Sequence, residues 1–311
     1  MLYLAKKVSL ALTVLSLVSI VFISNAQENP TPSPTSDRSS IPFEPRMQSD
    51  LNVLTGNVQR PNGLTYLDGM LYISCTGDST IYETDAVTGS TRTYLWGVMN
   101  AHTLIAERDN DQVLTLWIPD YQSNTLTRIR RGSLQPIVRN LESPWGITDV
   151  NSEYFLVTSL RLNTVERIDR EGRRRMLIEG LAAPTGIDSD GVYVYVANNG
   201  SARRAIEYYA LDELEAGEYE GGRLVSGIQN PTGIQLASDG NLYFAYSLGT
   251  RGVVGRVDPE ACRENGGCGN DRVEIVLYTE LAAPLAGLTV TPDMRLFVHT
   301  MYSPEIFWTQ L

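Results

Sequence analysis

The chain has 311 residues, enough for a large core, and its 25 Lys plus Arg against 36 Asp plus Glu give a formal net charge of −11. So acidic a surface repels phosphates, and neither nucleic acid nor an anionic lipid surface is expected as a partner. Lys6 and Lys7 are the only lysines of the chain. Chemistry through a lysine Schiff base is therefore excluded once the N-terminal segment is removed.

Residues 1–26 have the composition of a secretory signal peptide. Lys6 and Lys7 precede a largely apolar run over residues 8–24, and Ser24-Asn25-Ala26 offers small residues for cleavage after Ala26. An uncleaved membrane anchor is the alternative, because such a run nearly spans a bilayer. Either interpretation predicts a protein that is secreted, periplasmic or otherwise extracytoplasmic, with no further membrane association.

Residues 27–48 are rich in Pro, Ser and Thr, most densely from Asn29 to Ser36. This composition cannot build a core and favours an extended chain. We interpret it as a linker that leads to a single folded domain over residues 49–311.

That domain is organised by a repeated Pro-x-Gly-Ile/Leu unit. Full copies stand at Pro61-Asn62-Gly63-Leu64, Pro144-Trp145-Gly146-Ile147, Pro184-Thr185-Gly186-Ile187 and Pro231-Thr232-Gly233-Ile234. A looser copy at Pro284-Leu285-Ala286-Gly287-Leu288 and a degraded one at Asn100-Ala101-His102-Thr103-Leu104 complete a set of six. A period of about 40–50 residues is typical of a propeller or a solenoid.

The sequence of each repeat predicts four short strands joined by turns. In the first, strands are predicted at residues 63–66, 70–75, 80–83 and 91–96, with Asp68-Gly69 as a hairpin turn. Only one short helix is predicted, at Leu211–Ala216. The last repeat has three strands, and residues 51–58 form an unpaired one, which we expect to complete it. The prediction is an all-β, six-bladed β-propeller of four-stranded blades, whose last blade is closed by the N-terminal strand.

The repeats resemble NHL repeats and the six-bladed propellers of the gluconolactonase, senescence-marker-protein and strictosidine-synthase-like group. The resemblance rests on units such as Pro184-Thr185-Gly186-Ile187 followed by Val194-Tyr195-Val196-Ala197-Asn198, and it covers about residues 50–311. It implies the fold, but not one activity, because this architecture serves hydrolases, lyases and binding modules.

The variable residue of each unit and the residue that ends each second strand should surround one mouth of the central channel. On this basis a ligand is predicted to contact Asn62, His102, Trp145, Asn198 and Tyr246. Trp145 offers an aromatic face to a planar ligand, and His102 is the candidate general base. His299 takes a slot that faces a neighbouring blade, and it is interpreted as a packed, hydrogen-bonded core histidine.

The metal-dependent lactonases that the chain resembles hold calcium through carboxylates and asparagines at such positions. Asn62, Asn198 and Asp120 are the weak metal candidates here, and Gln59 and Arg60 stand where the family pattern has a Glu. No cofactor is therefore expected, with Ca²⁺ kept as an alternative. Asn62 and Asn198 also suit turns without any metal.

Three cysteines remain. Cys262 and Cys268 flank a turn-rich insert in blade five, a spacing that predicts a local disulfide in an exported protein. Cys75 is interpreted as a small buried hydrophobe.

The function predicted from these features is that of an exported, monomeric binding module that receives a small molecule or a protein at its channel mouth. The alternative is a gluconolactonase-like hydrolase or lyase with an atypical, metal-poor site. The near absence of carboxylates from the two mouth rings favours the first.

Overall fold

The computed structural model describes residues 44–311, in which 24 strands form six separate four-stranded antiparallel sheets. The predicted signal segment 1–26 lies outside the described residues, as does the predicted linker up to residue 43. No helix in the described range is long and apolar enough to cross a bilayer.

Blades one to three each use four consecutive strands. Blade one contains β2 (Pro61–Leu67), β3 (Met70–Cys75), β4 (Thr80–Asp85) and β5 (Thr91–Trp96). Blade two contains β6 (Ile105–Arg108), β7 (Leu114–Asp120), β8 (Thr125–Arg130) and β9 (Ser133–Arg139). Blade three contains β10 (Pro144–Val150), β11 (Tyr154–Ser159), β12 (Thr164–Asp169) and β13 (Arg174–Ile178).

Blades four and five follow the same order, and blade six differs. Blade four contains β14 (Pro184–Ser189), β15 (Tyr193–Asn198), β16 (Ile206–Ala210) and β17 (Gly222–Val225). Blade five contains β18 (Ile234–Leu236), β19 (Leu242–Leu248), β20 (Arg251–Val257) and β21 (Glu274–Ala282). Blade six contains β22 (Gly287–Val290), β23 (Arg295–His299), β24 (Ile306–Gln310) and, as its outer strand, β1 (Asn52–Thr55).

The six first strands contact one another in a closed ring, each touching the first strand of the next blade. The predicted six-bladed propeller is therefore confirmed. Its core lies between the blades, because successive side chains of a strand point to opposite faces of its sheet. Tyr195, Phe244 and Tyr246, for example, are buried together between blades four and five.

The predicted closure of the ring by the N-terminal strand is also confirmed. β1 pairs antiparallel with β24, with Asn52 opposite Trp308 and Val53 opposite Phe307. The strand is shorter than the predicted 51–58. Gly56 and Asn57 follow it in a turn, in which the Asn57 amide donates to Thr55 Oγ1 at 3.3 Å.

The chain is already paired with the propeller before it reaches β1. Arg46 forms a parallel bridge with Leu277 of β21, in which the Arg46 amide donates to the Val276 carbonyl and the Tyr278 amide donates to the Arg46 carbonyl. These residues cover part of the outer edge of blade five, which would otherwise expose unpaired backbone groups.

Two short α-helices interrupt the β-structure of the described residues. α1 (Leu211–Ala216) stands where it was predicted. α2 (Pro259–Glu264) was not predicted, since the insert that contains it was interpreted as turns. The local signal was Asp258-Pro259: Asp258 accepts hydrogen bonds from two amides of the first turn, and Pro259 has no amide hydrogen to leave unpaired there.

Candidate functional site

The channel has two different ends, because the six first strands run in the same direction along it. At the loop end these strands begin, next to the segments that join one blade to the next. At the hairpin end they finish, next to the tight turns into the second strands. The Pro-x-Gly units all lie at the loop end.

The loop end is closed by the protein's own side chains. Of the variable residues in the six units, Asn62, His102, Thr185, Thr232 and Leu285 are buried, and Trp145 is half-buried. The residues that were predicted to surround an open channel mouth thus occupy that mouth with their own side chains.

Hydroxyl groups at this end hold neighbouring blades together. Five of them donate to a backbone carbonyl of the next blade at 2.6–2.9 Å. The pairs are Ser74 to Ala101, Thr103 to Trp145, Thr158 to Thr185, Thr185 to Pro231 and Thr232 to Leu285. Four of these donors are fully buried, so each bond also satisfies a carbonyl that would be costly to leave unpaired.

His102 and Trp145, two of the predicted ligand contacts, are brought together as an aromatic pair. Their rings stack with centroids 3.3 Å apart, and Tyr121 meets both edge-on at 5.5 and 5.8 Å. Asn62 is tied to the same region, because its Nδ2 donates to Asn100 Oδ1 at 2.5 Å. The structure therefore groups three of the five predicted contacts on blades one to three.

Both histidines are held neutral. Burial lowers the pKa of His102 to about 3, and the nearby His299 contributes to that shift. Burial lowers the pKa of His299 to about 4 against an opposing effect of the Thr300 and Pro61 backbone. That backbone approaches the His299 ring without forming regular hydrogen bonds, so both ring nitrogens are buried and unpaired among the described residues. His299 is thus buried in the core as predicted, but without the hydrogen bonds that were expected for its ring.

Asn198 and Tyr246, the other two predicted contacts, are buried, Asn198 within blade four and Tyr246 between blades four and five. The Asn198 amide is fully used: it donates to the Arg204 carbonyl and to Glu207 Oε2, and its oxygen accepts from the Ala182 amide. Tyr246 packs between blades four and five, where burial raises its pKa to about 12. Neither side chain is presented to a ligand at the loop end.

Asp120, the acidic metal candidate, organises a loop. Its carboxylate accepts from the backbone amides of Met99, Asn100, Gln122 and Ser123 at 2.7–3.2 Å. Within residues 44–311, no three His, Cys, Asp or Glu side chains gather in a way that could hold a metal ion.

The cysteine predictions are confirmed. Cys262, in α2, is bonded to Cys268 of the following turn, and Cys75 is free and buried. Burial also raises the pKa of the Cys75 thiol to about 12, which keeps it protonated and unreactive.

A cavity among the described residues occupies the channel on its hairpin side. Its volume is about 500 Å³. The apolar residue of each repeat unit forms its floor: Leu64, Leu104, Ile147, Ile187, Ile234 and Leu288. The exposed Ser238 and Pro292 belong to its rim, so the cavity opens at the hairpin end.

One residue further along each first strand, a second ring lines the same cavity. It consists of Thr65, Ile105, Thr148, Asp188, Gln235 and Thr289. Asp188 is its only ionisable member. Its Oδ1 accepts from Thr148 Oγ1 and the Ser189 amide, its Oδ2 accepts from the Leu236 amide, and desolvation raises its pKa.

This ring was not predicted from the sequence, because the Pro-x-Gly-Ile/Leu unit marks only the start of each first strand. The signal was three positions further on in five repeats, and four in the looser sixth copy, where the six repeats place Thr, Ile, Thr, Asp, Gln and Thr. A position that follows a buried apolar residue in every repeat, and that is polar in five of six, indicates a surface of the channel.

Comparison with known proteins places the chain by its fold. No family model and no curated protein matches the sequence. Among solved structures, virginiamycin B lyase from Staphylococcus aureus superposes with a TM-score of 0.58 at 14% identity, covering 84% of this chain and 99% of the lyase. A gluconolactonase from Xanthomonas campestris gives 0.64 at 17% identity, covering 83% of this chain and 88% of that one.

A regucalcin from Agrobacterium tumefaciens, described as a calcium-binding protein, gives a TM-score of 0.62 at 14% identity, covering 85% of this chain and 94% of that protein. At such identities the likeness concerns the fold alone. The class of protein is that of closed six-bladed β-propellers, in agreement with the resemblance seen in the repeats.

Proposed function

We propose that the propeller is an exported binding module that takes a small organic molecule into its central channel through the hairpin end. The observation that carries this proposal is the 500 Å³ cavity with an apolar floor and a polar ring above it. Cavities of this size that combine apolar surface with convergent polar groups are typical of small-molecule sites. The predicted signal peptide and the disulfide support an extracytoplasmic location.

The loop end supports a second candidate, the docking of a protein. Large apolar side chains are exposed there, with Trp96 at 69% and Tyr302 at 64% of their surface. Met99, Leu162 and Leu248, the last residue of β19, are exposed at the same end. Aromatic and Met side chains are enriched in protein interfaces, so a partner at this end would cover them.

A channel-filling substitution tests the proposed function. Thr65 lies in the polar ring and Thr93 is an exposed residue of β5, so Thr65→Trp fills the cavity while Thr93→Trp adds the same side chain outside it. A panel of small molecules is screened by thermal shift against the parent chain and both variants. We expect binders of the parent to lose their effect on Thr65→Trp and to keep it on Thr93→Trp.

Ligands that stabilise Thr65→Trp as strongly as the parent would place the site outside the channel. In that case Trp145→Ala, at the aromatic pair with His102, becomes the decisive variant for a small molecule at the loop end.

The hydrolase or lyase alternative is tested in the same screen. Solved structures of similar fold include a lyase and gluconolactonases, and the cavity holds one ionisable group in its ring, Asp188. Lactones and esters are therefore included and assayed for product. Turnover by the parent chain that Asp188→Asn abolishes, with His102→Ala as a comparison, would replace binding by catalysis as the function.

A further inference from the structure

The charged residues that line the channel cavity are all acidic. Asp188 lines the cavity, and among the described residues no Arg or His forms an ion pair with it. The cavity lining contains no Arg, Lys or His at all. The Asp188 carboxyl group is held by hydrogen bonds alone, and desolvation raises its pKa because no cation compensates its ionised form. A cation beside it would stabilise that ionised form.

A second carboxylate, at the rim of the cavity, adds negative charge. Asp149 also lines the cavity and is paired with Arg170 at 2.5 Å, but Arg170 is shared with Glu107. One arginine thus faces two carboxylates. A narrow opening lined by one sign of charge concentrates ions of the opposite sign, so the channel attracts cations.

The hydrogen bonds of Asp188 leave room for one more donor. A carboxylate has about four acceptor positions. Three are taken, two on Oδ1 by Thr148 and the Ser189 amide and one on Oδ2 by the Leu236 amide. A single N–H group would complete the set at Oδ2.

A bound metal ion fits this arrangement less well. Calcium and magnesium require six or more oxygen ligands close together. Here the one carboxylate of the ring has most of its acceptor positions occupied, and Gln235 Oε1 is occupied by Thr289 Oγ1 and the Val290 amide. The six Leu and Ile side chains of the floor, by contrast, offer contacts to an apolar group.

We infer that the channel ligand is a small organic ammonium ion, whose protonated nitrogen donates to Asp188 Oδ2 while its apolar part contacts the Leu/Ile floor. This assignment of ligand class rests on the proposed function. Because a hydrogen bond to a charged group is stronger than one between neutral groups, a cation should bind about tenfold more tightly than a neutral compound of the same shape.

Three probes with the same apolar body test the inference: benzylammonium, benzyl alcohol and benzoate. Binding to the 311-residue chain is measured by saturation-transfer NMR and isothermal titration calorimetry. We expect benzylammonium to bind, benzyl alcohol to bind about tenfold more weakly, and benzoate not to bind. Asp188→Asn should reduce the affinity for benzylammonium to that for the alcohol.

A second variant covers the case in which Asp188→Asn fails to fold. Thr65→Lys places a fixed cation in the ring and leaves Asp188 intact, and Thr93→Lys adds the same charge on the exposed surface of β5. We expect Thr65→Lys to lose benzylammonium and to gain benzoate, and Thr93→Lys to behave as the parent.

The outcomes separate the two proposals. If benzyl alcohol binds as tightly as benzylammonium and Thr65→Trp abolishes both, the channel site stands and the ammonium assignment is wrong. If benzylammonium binds equally well to Thr65→Trp, the channel itself is not the site. If none of the three probes binds, the ammonium assignment is overturned. The proposed function is then tested by the thermal-shift screen of small molecules alone.

Discussion

At the scale of single residues, two buried histidines make stability depend on pH. The pKa of His102 is about 3 and that of His299 about 4, against an ordinary value of 6.5. Below pH 6.5 the unfolded chain takes up protons that the folded chain does not. The free energy of unfolding should therefore fall as the pH drops from 6.5 towards 4, by up to about 1.4 kcal/mol per pH unit for each histidine.

Denaturant unfolding at about pH 7 and about pH 5.5 measures this, since both values lie above the range in which ordinary carboxylates titrate. His299→Ala is the matched variant, because Ala197 and Ala245 occupy the equivalent slot in blades four and five. It should reduce the pH dependence whatever its effect at neutral pH. If the free energy of unfolding differs between the two pH values by the same amount in the variant and in the parent, the assignment of this pH dependence to His299 is wrong.

The hydroxyls at the loop end lead to a second prediction at this scale. Thr232 Oγ1 donates to the Leu285 carbonyl at 2.7 Å, between blades five and six. Thr232→Val keeps the shape of the side chain and leaves that carbonyl without this donor, so the free energy of unfolding should fall by about 1 kcal/mol. Chemical denaturation measures it, with the exposed Thr93→Val as the control. Equal stability of the two variants would mean that the bond contributes nothing.

At the scale of elements, the disulfide-bonded insert of blade five stabilises the structure only locally. The ring that Cys262 and Cys268 close is short, so replacing both by Ala should cost only about 2 kcal/mol. Thermal unfolding of the double variant, with and without reductant, measures this. Reductant should lower the melting temperature of the parent and leave that of the variant unchanged. A parent that is insensitive to reductant would show that the bond contributes little.

Gly267 in the same insert shows why only glycine suits its place. Its φ is +107°, and a Cβ there would lie 2.7 Å from the Arg223 carbonyl oxygen of β17. The sequence showed a run of glycines between two cysteines. The close approach to another blade arises from tertiary packing and could not be seen in it.

At the scale of the whole molecule, the ring depends on its closing strand. β1 gives blade six its fourth strand, and without it β24 would present an open edge. Deletion of residues 49–58 should lower the melting temperature sharply, as followed by circular dichroism. Deletion of residues 27–36, within the predicted linker, is the control of equal length. If the two deletion variants have the same melting temperature, closure by β1 is not what stabilises the ring.

Repeats in a sequence report the fold directly, because each blade must meet the same requirements. The Pro-x-Gly unit, the Asp-Gly turns and the three-stranded last repeat were enough to predict six blades and their closure. The disulfide was predicted for a similar reason, since short cysteine spacing acts over a few residues, and α1 was predicted within the outer hairpin of blade four. α2 had such a local signal in Asp258-Pro259, but it was not used.

The site depended on the tertiary structure, because the sequence gives the order of the rings along the channel but not which of them is open. Asn198 matched a ligand position in the repeat, yet its amide is used by Ala182, Arg204 and Glu207. Asp188 had no motif to mark it and became the distinctive group of the cavity once six strands surrounded it. Side-chain volume, hydroxyl bonds between blades and burial decide which end is closed, and these exist only in the assembled ring.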